Sequence, residues 1–350
     1  MHRHLYMALR ACLLLLAVVL PGACSDNAPA AEGGNDKTVV RLGYFPNVTH
    51  ATAVVGVANG DFAKALGPNV ELKTSTFNAG PYVIEAIFGS QLDIAYIGPS
   101  PTLNGFIKSD GEEIRVVAGA VENGTLIVGS KKRGITKLEQ LKGATIATPQ
   151  LGNTQDISAK AYVTQVLGAK LGSGAGETSV IPVANPDIEI LFAKDQLDAA
   201  WVPEPWGSRL IESGLVTVIA EEKDLWPEKK FLLTNVIVRR KFLEQHPQIV
   251  KDFLKAHVAL TKELTADRQK FAATINTEMK RITGKELPPA VIASSLDHVS
   301  FSVDPSNTSF ESFFEKGKAL GLLRADRIDL NTLIDRTLLN EVLKEGDAAP

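Results

Sequence analysis

Leu197–Trp206 reads LDAAWVPEPW, and Leu92–Pro101 reads LDIAYIGPSP. Both run Leu-Asp-x-Ala-aromatic-aliphatic into a proline-containing turn. The echo extends upstream, where EAIFGSQ (Glu85–Gln91) precedes the first copy and EILFAKDQ (Glu189–Gln196) the second, one residue longer. More weakly, LGYFPN (Leu42–Asn47) and IATPQ (Ile146–Gln150) are each a short apolar run, a proline and an amide residue. A spacing of about a hundred residues is too long for a solenoid unit and suits two copies of an α/β lobe. In each copy the aromatic residue and its turn fall at the carboxyl end of a predicted strand, where open parallel sheets bind ligands. The expected fold class is therefore α/β, with two similar lobes facing one cleft.

Around these two stretches the patterns alternate. Strands are expected at Thr38–Phe45, Val70–Phe77, Asp93–Ile97 and Ile114–Val121. Helices are expected from about Thr49 to Leu66, after the Asn78–Pro81 turn, and over Pro99–Lys108. A second set of strands falls at Thr145–Ala147, Val180–Pro182, Ala199–Val202 and Val216–Ala220, again with helical patterns between them. Such alternation predicts parallel βαβ units. Leu126–Gly129 and Asn235–Val238 are the expected crossings between lobes, and beyond the second only helical patterns follow. This places lobe 1 at 38–128 plus 234–345 and lobe 2 at 129–233.

Residues 1–23 read as a signal peptide: a basic start with Arg3 and Arg10, an apolar Cys12–Leu20 too short to span a bilayer, then small residues before Cys24. Cys24 is the expected lipidation site, although Pro21 stands where a lipobox usually has Leu. Ser25–Lys37 is nearly devoid of apolar residues and is expected to be a flexible tether. The 350 residues carry a net charge of −3, and −5 once both arginines leave with the leader. No basic stripe with interleaved aromatics is present, so no nucleic-acid partner is expected. With Cys12 in the leader, Cys24 is the only mature cysteine, which leaves neither a disulfide nor a thiolate metal site.

The enzyme templates are empty: the chain has no GxSxG, Walker, GxGxxG or HExxH pattern. No catalytic residue, metal or cofactor is expected. His257 lies on an apolar helix face and reads as a core histidine. Asp198 aligns with Asp93, so both read as structural. The stronger signal is a set of loop-to-helix junctions rich in Gly, Asn and hydroxyl residues: Asn78-Ala79-Gly80-Pro81, Gly98-Pro99-Ser100, and Gln150-Leu151-Gly152-Asn153-Thr154. Free backbone N–H groups at such junctions hold anions without a Lys or Arg. The simpler reading is that Asn78, Ser100 and Thr154 only cap their helices. Of the aromatics Tyr44, Tyr96, Trp201 and Trp206, at least one tryptophan is expected in the cleft.

LGYFPNVTHA, FNAGP, LDIAYIGPSP, ATPQLGNTQD, VANPD and LDAAWVPEPW together resemble the sulfonate, nitrate and taurine substrate-binding proteins of bacterial ABC importers. The resemblance runs from about Val39 to Leu343. It implies a two-lobed periplasmic-binding-protein fold with a two-stranded hinge, closing on a small anionic or zwitterionic solute. It also implies docking on a permease with its cytoplasmic ATPase, at the outer face of the cytoplasmic membrane or in the periplasm. By matched position, the cleft would be lined by Asn47, His50, Asn78, Gly80, Pro81, Gly98, Ser100, Gln150, Gly152, Asn153, Thr154, Trp201, Glu204 and Trp206.

An enzyme of similar fold, the pyrimidine-forming synthase of thiamine biosynthesis, is the rival class. Its relatives carry a Cys-rich motif that this chain lacks. Nitrate and a thiamine-precursor pyrimidine are the other candidate ligands. A carboxylate at Glu204 would repel nitrate and suit a taurine-like ammonium, the preferred ligand class being an aliphatic sulfonate. The plainer reading of Glu204 is that it satisfies a neighbouring helix terminus.

Overall fold

The computed structural model describes residues 37–347; the expected signal peptide, Cys24 and nearly all of the tether lie outside the described residues. The chain opens with β1 (Thr38–Tyr44), α1 (Ala51–Ala58), α2 (Asp61–Leu66), β2 (Val70–Thr76), α3 (Gly80–Phe88), β3 (Ile94–Ile97), α4 (Pro99–Lys108) and β4 (Ile114–Asn123). It continues through β5 (Thr125–Ser130), β6 (Thr145–Thr148), α5 (Thr154–Ala161), β7 (Ser179–Pro182), α6 (Asn185–Ala193), β8 (Ala199–Pro203), α7 (Trp206–Glu212) and β9 (Val216–Glu221). Then come β10 (Leu232–Arg239), α8 (Arg240–Gln245), α9 (Pro247–Ala266), α10 (Ala272–Thr283), α11 (Pro289–Asp297) and β11 (Val299–Phe301). The last elements are α12 (Asn307–Ala319), α13 (Leu330–Leu333) and α14 (Thr337–Asp347).

These form two sheets, β11-β4-β10-β3-β1-β2 and β7-β6-β8-β5-β9. Taken from matching edges, β2-β1-β3-β10-β4 and β7-β6-β8-β5-β9 share one plan. In each, the first three strands pair in parallel and the fourth is antiparallel to the third. That fourth strand is the one the chain lays down just after crossing from the other sheet. The result is a two-lobed α/β fold with two crossings.

The sequence echo has a physical basis in one aspartate per lobe. Asp93 Oδ2 accepts from the backbone N–H of Arg41 at 3.0 Å, and its Oδ1 lies 2.7 Å from Arg239. Asp198 repeats this on Thr145 N–H at 2.7 Å and Arg133 at 2.7 Å. Asp93 ties β1 to the far end of β10, and Asp198 ties β6 to the turn just beyond the far end of β5. Both aspartates are structural, as their alignment implied.

Both faces of each sheet are covered, so the central strands carry apolar side chains on alternate faces. On β3, Ile94 and Tyr96 join the core under α1 and α9, whereas Ala95 and Ile97 join the core under α3, α4 and α12. On β8, Ala200 and Val202 face one core, and Ala199 and Trp201 the other. His257 is a core histidine, with Nδ1 2.7 Å from Tyr96 Oη and Nε2 2.8 Å from Gly119 O.

Three expectations needed correction. The crossings are not in Leu126–Gly129 and Asn235–Val238, which lie within β5 and β10, each inside its own sheet. The chain instead turns at Asn123 (φ +63°) and Gly124 (φ +82°) and returns through Glu222–Phe231. A Cβ on Gly124 would meet Val299 Cγ1 at 2.5 Å, so the tight turn requires glycine. The region after β10 is not wholly helical, because β11 adds a short edge strand to β4. The helix expected over Thr49–Leu66 is a 3-10 turn (Val48–His50) followed by α1 and α2, broken at Gly60 (φ +75°).

Candidate functional site

The amino ends of α3 and α4 in the first lobe face those of α5 and α6 in the second. The residues preceding α3, α4 and α6 are Ala79, Gly98 and Ala184, and none supplies a side-chain cap. Pro81, Pro99, Pro101 and Pro186 carry no N–H, and Asp187 N–H is held by Ala184 O at 2.8 Å. The first-turn donors left for whatever occupies the space between the lobes are those of Gly80, Tyr82, Ser100 and Asn185. Only α5 is capped, by Asn153 Oδ1 accepting from Asp156 N–H at 2.8 Å.

That space has two connected chambers. The inner one, about 30 Å3, is lined by Thr49, His50, Gly80, Gly98, Asn153 and Thr154 among others. The outer one, about 400 Å3, is bounded by Tyr82, Gln150, Trp206, Arg209, Met279 and Lys285. Asn47, Asn78, Ala79, Pro149 and Asn185 border both. No Asp or Glu lines either chamber, and the outer one holds two cations. The lobes stand closed. Trp206 Nε1 in the second donates to Asn47 Oδ1 in the first at 3.0 Å, and a Cβ on Gly98 would sit 2.3 Å from Thr154 Oγ1.

His50 packs on Phe45 with ring centroids 4.2 Å apart, and its Nδ1 accepts from Phe45 N–H at 3.4 Å. Burial holds its pKa down to about 3, so the ring is neutral and keeps its proton on Nε2 as a donor. Asn185 Oδ1 and Gln150 Oε1 are buried without a partner. Both are acceptors, so they are completed by a donor such as water and not by an anion.

Of the residues expected in the cleft, the structure brings together Asn47, His50, Asn78, Gly80, Gly98, Gln150, Asn153, Thr154 and Trp206. Pro81 stands just inside α3 and Ser100 is buried in the first turn of α4, both behind the lining. Gly152 shapes its loop, with φ +76° and its N–H given to Asp156 Oδ2 at 2.8 Å.

Trp201 and Glu204 do not reach the cleft. Strand alternation turns Trp201 into the core beside Tyr162, where it is 1% exposed and its Nε1 donates to Glu222 at 2.7 Å. Glu204, fully buried, accepts from Ser208 N–H (3.0 Å), Ser208 Oγ (2.9 Å) and Ser295 Oγ (3.2 Å). It satisfies the start of α7 and ties it to α11, so the ammonium-binding role is withdrawn.

With the two sheets and their facing helix ends in place, the match to a known family is decisive: residues 33–277 correspond to the NMT1-like family. The chain belongs to it. Over 206 residues this NMT1-like protein is 26% identical to the taurine-binding periplasmic protein of Escherichia coli K12, a match covering 59% of this chain and 61% of that protein's length. Among solved structures it is similar to the alkanesulfonate-binding protein of Xanthomonas axonopodis pv. citri bound to MOPS. The identity is 21% and the TM-score 0.69, over 86% of this chain and 99% of that one. It is also similar to the periplasmic nitrate-binding protein of Synechocystis PCC 6803, at 16% identity and TM-score 0.73 over 90% of each chain. At these identities the structural likeness speaks to the fold.

Within the NMT1-like chain, several lining residues were not anticipated. Arg209 is the most consequential. It lies one helical turn after Trp206, its guanidinium 5.5 Å from that indole's centroid and 2.9 Å from Glu189. The i, i+3 spacing that puts both on one helix face was available in the sequence. Asn185 sits in the VANPD stretch, where the following proline marks a helix start. Met279, Lys285 and Leu287 come from α10 and the loop after it, and no local signal joins them to the cleft. Among the described residues, no group of three or more His, Cys, Asp or Glu is placed to hold a metal ion.

Proposed function

We propose that the chain is the extracytoplasmic solute receptor of an ABC importer, a binder and not an enzyme, and that it captures an aliphatic sulfonate between its lobes. The sulfonate sits in the inner chamber against the amino ends of α3, α4, α5 and α6, with His50 Nε2 and the Asn185 amide nitrogen as further donors. The tail extends into the outer chamber between Tyr82 and Trp206. The observation that carries this reading is a closed cleft in which uncapped helix starts meet and which no Asp or Glu lines. A diffuse anion held by converging N–H dipoles leaves no unpaired buried charge.

The inner chamber's size alone would suit nitrate, but nitrate leaves the larger outer chamber unused. Taurine's ammonium would meet Arg209 and Lys285 without a free carboxylate, which favours an uncharged tail. The relatives named for taurine and alkanesulfonate binding support the class. In this reading, residues 38–123 with 232–345 close on 125–221 about the two crossings. Cys24 anchors the mature chain to a membrane, where it meets its permease.

Calorimetric titration with propanesulfonate, taurine, nitrate and a hydroxymethylpyrimidine tests the ligand. Propanesulfonate is expected to bind tightest and taurine more weakly; tightest binding of nitrate, or binding of the pyrimidine alone, overturns the assignment.

A further inference from the structure

About one turn along α5 from the cleft lies a second cavity, about 300 Å3 in volume, that ligand capture does not use. Its walls come from distant parts of the chain. Ser158 and Tyr162 belong to α5 and the π-helical turn after it (Tyr162–Val166), and Trp201 to β8. Glu222 and Trp226 belong to the return crossing, and Lys316 to α12 of the first lobe. Isolated π-turns concentrate at functional sites. This one leaves Val166 65% exposed at the cavity rim.

The floor is built with care for its polar groups. Trp201 Nε1 and Trp226 Nε1 donate to the two oxygens of Glu222 at 2.7 and 3.2 Å, and Ser158 Oγ donates to the same carboxylate. Glu222 is 1% exposed, so its role is to hold two indoles in place. Lys316 is the group left over. Its Nζ lies 3.4 Å from the Trp226 ring centroid and 5.4 Å from that of Phe313. Among the described residues it has no carboxylate within ion-pair distance. Burial draws its pKa down to about 8, against the more distant pull of Glu222. A half-buried ammonium on an aromatic wall, beside an open apolar cavity, lacks the anion such a group ordinarily finds.

We propose that this cavity is a second ligand site and that it takes a small aromatic carboxylate, the carboxylate on Lys316 Nζ and the ring against Tyr162, Val166 and the open edge of Trp226. Charge-assisted bonding fixes one end and ring contacts the other, and the volume is at the lower end of small-molecule sites. A cationic ligand would have to displace Lys316 from Trp226.

Tryptophan fluorescence of the full chain, titrated with benzoate and with benzylamine, tests this. Benzoate is expected to give a saturable change and benzylamine none. Lys316→Met should weaken benzoate at least tenfold, while Arg209→Met, in the cleft, leaves it within twofold. Should Lys316→Met fail to fold, Val166→Trp at the exposed rim closes the cavity and must weaken benzoate as well. Any of three results overturns the proposal: no saturable benzoate binding at millimolar concentration, binding of benzylamine, or benzoate binding lost in Arg209→Met but kept in Lys316→Met and Val166→Trp.

Discussion

Leu92–Pro101 and Leu197–Trp206 occupy the same place in their lobes, and their first halves do the same work. Asp93 and Asp198 clamp equivalent strands, and Tyr96 and Trp201 both point into a core and tie their polar ends to a buried partner, His257 and Glu222. The second halves part. In the first lobe the turn runs directly into the uncapped start of α4. In the second, Glu204 closes the start of α7 on itself, and Trp206 reaches across to Asn47. What the two copies share is scaffold; what faces the cleft is where they differ. His50 has its role only in the first lobe, and Arg209 and Trp206 theirs only in the second.

The largest effect should separate the two tryptophans. Trp201→Ala removes a buried indole and leaves Glu222 short of a donor, at an expected cost of about 3–5 kcal/mol in urea unfolding. Trp206→Ala should cost far less stability and weaken propanesulfonate at least tenfold in calorimetry. Equal effects of the two on stability, with neither changing affinity, would erase the distinction between scaffold and ligand face.

The paired aspartates come next. Asp93 is fully buried and faces an Arg239 that is 13% exposed, so Asp93→Ala strands a buried cation at about 3–5 kcal/mol. Asp198 is 17% exposed and its Arg133 35%, so Asp198→Ala should cost about 1–2 kcal/mol. If Asp198→Ala proves the more damaging, burial does not set the asymmetry between the copies.

A graded effect, set by pH and not by a substitution, belongs to the buried histidines of the first lobe. Burial lowers His50 to about 3 and His257 to about 4, from an ordinary 6.5. Between those values the unfolded chain binds protons that the folded chain refuses. Stability is therefore complete above about pH 6.5 and falls on acidification, by about 1.4 kcal/mol per pH unit for each histidine. Denaturation midpoints from pH 7 to 5 should fall in the wild type, with a shallower slope in His257→Gln. An unchanged slope in that variant would show that His257 is not part of the dependence.

The fold was legible because a duplicated strand, turn and helix start leaves a pattern in residue types. The junctions at Asn78–Gly80, Gly98 and Gln150–Thr154 were legible because small and amide residues before a helix expose backbone N–H groups. Trp201 was not, since β8 is buried on both faces and its sequence carries no polar alternation to say which way a side chain points. Glu204 required knowledge of Ser295, which is distant in sequence. The crossings were misplaced for a similar reason: β5 and β10 look like bridges because they are apolar throughout, yet that is also how an inserted central strand reads.

The central claim, that helix amino ends hold the anion and the outer chamber holds the tail, is tested most directly by a crystal structure with propanesulfonate bound. The sulfur is expected in the inner chamber, its oxygens within hydrogen-bond distance of N–H groups from at least one helix of each lobe and of His50 or Asn185. A sulfonate paired with Arg209 and Lys285 in the outer chamber, with the helix ends of the inner chamber left to water, would contradict the account.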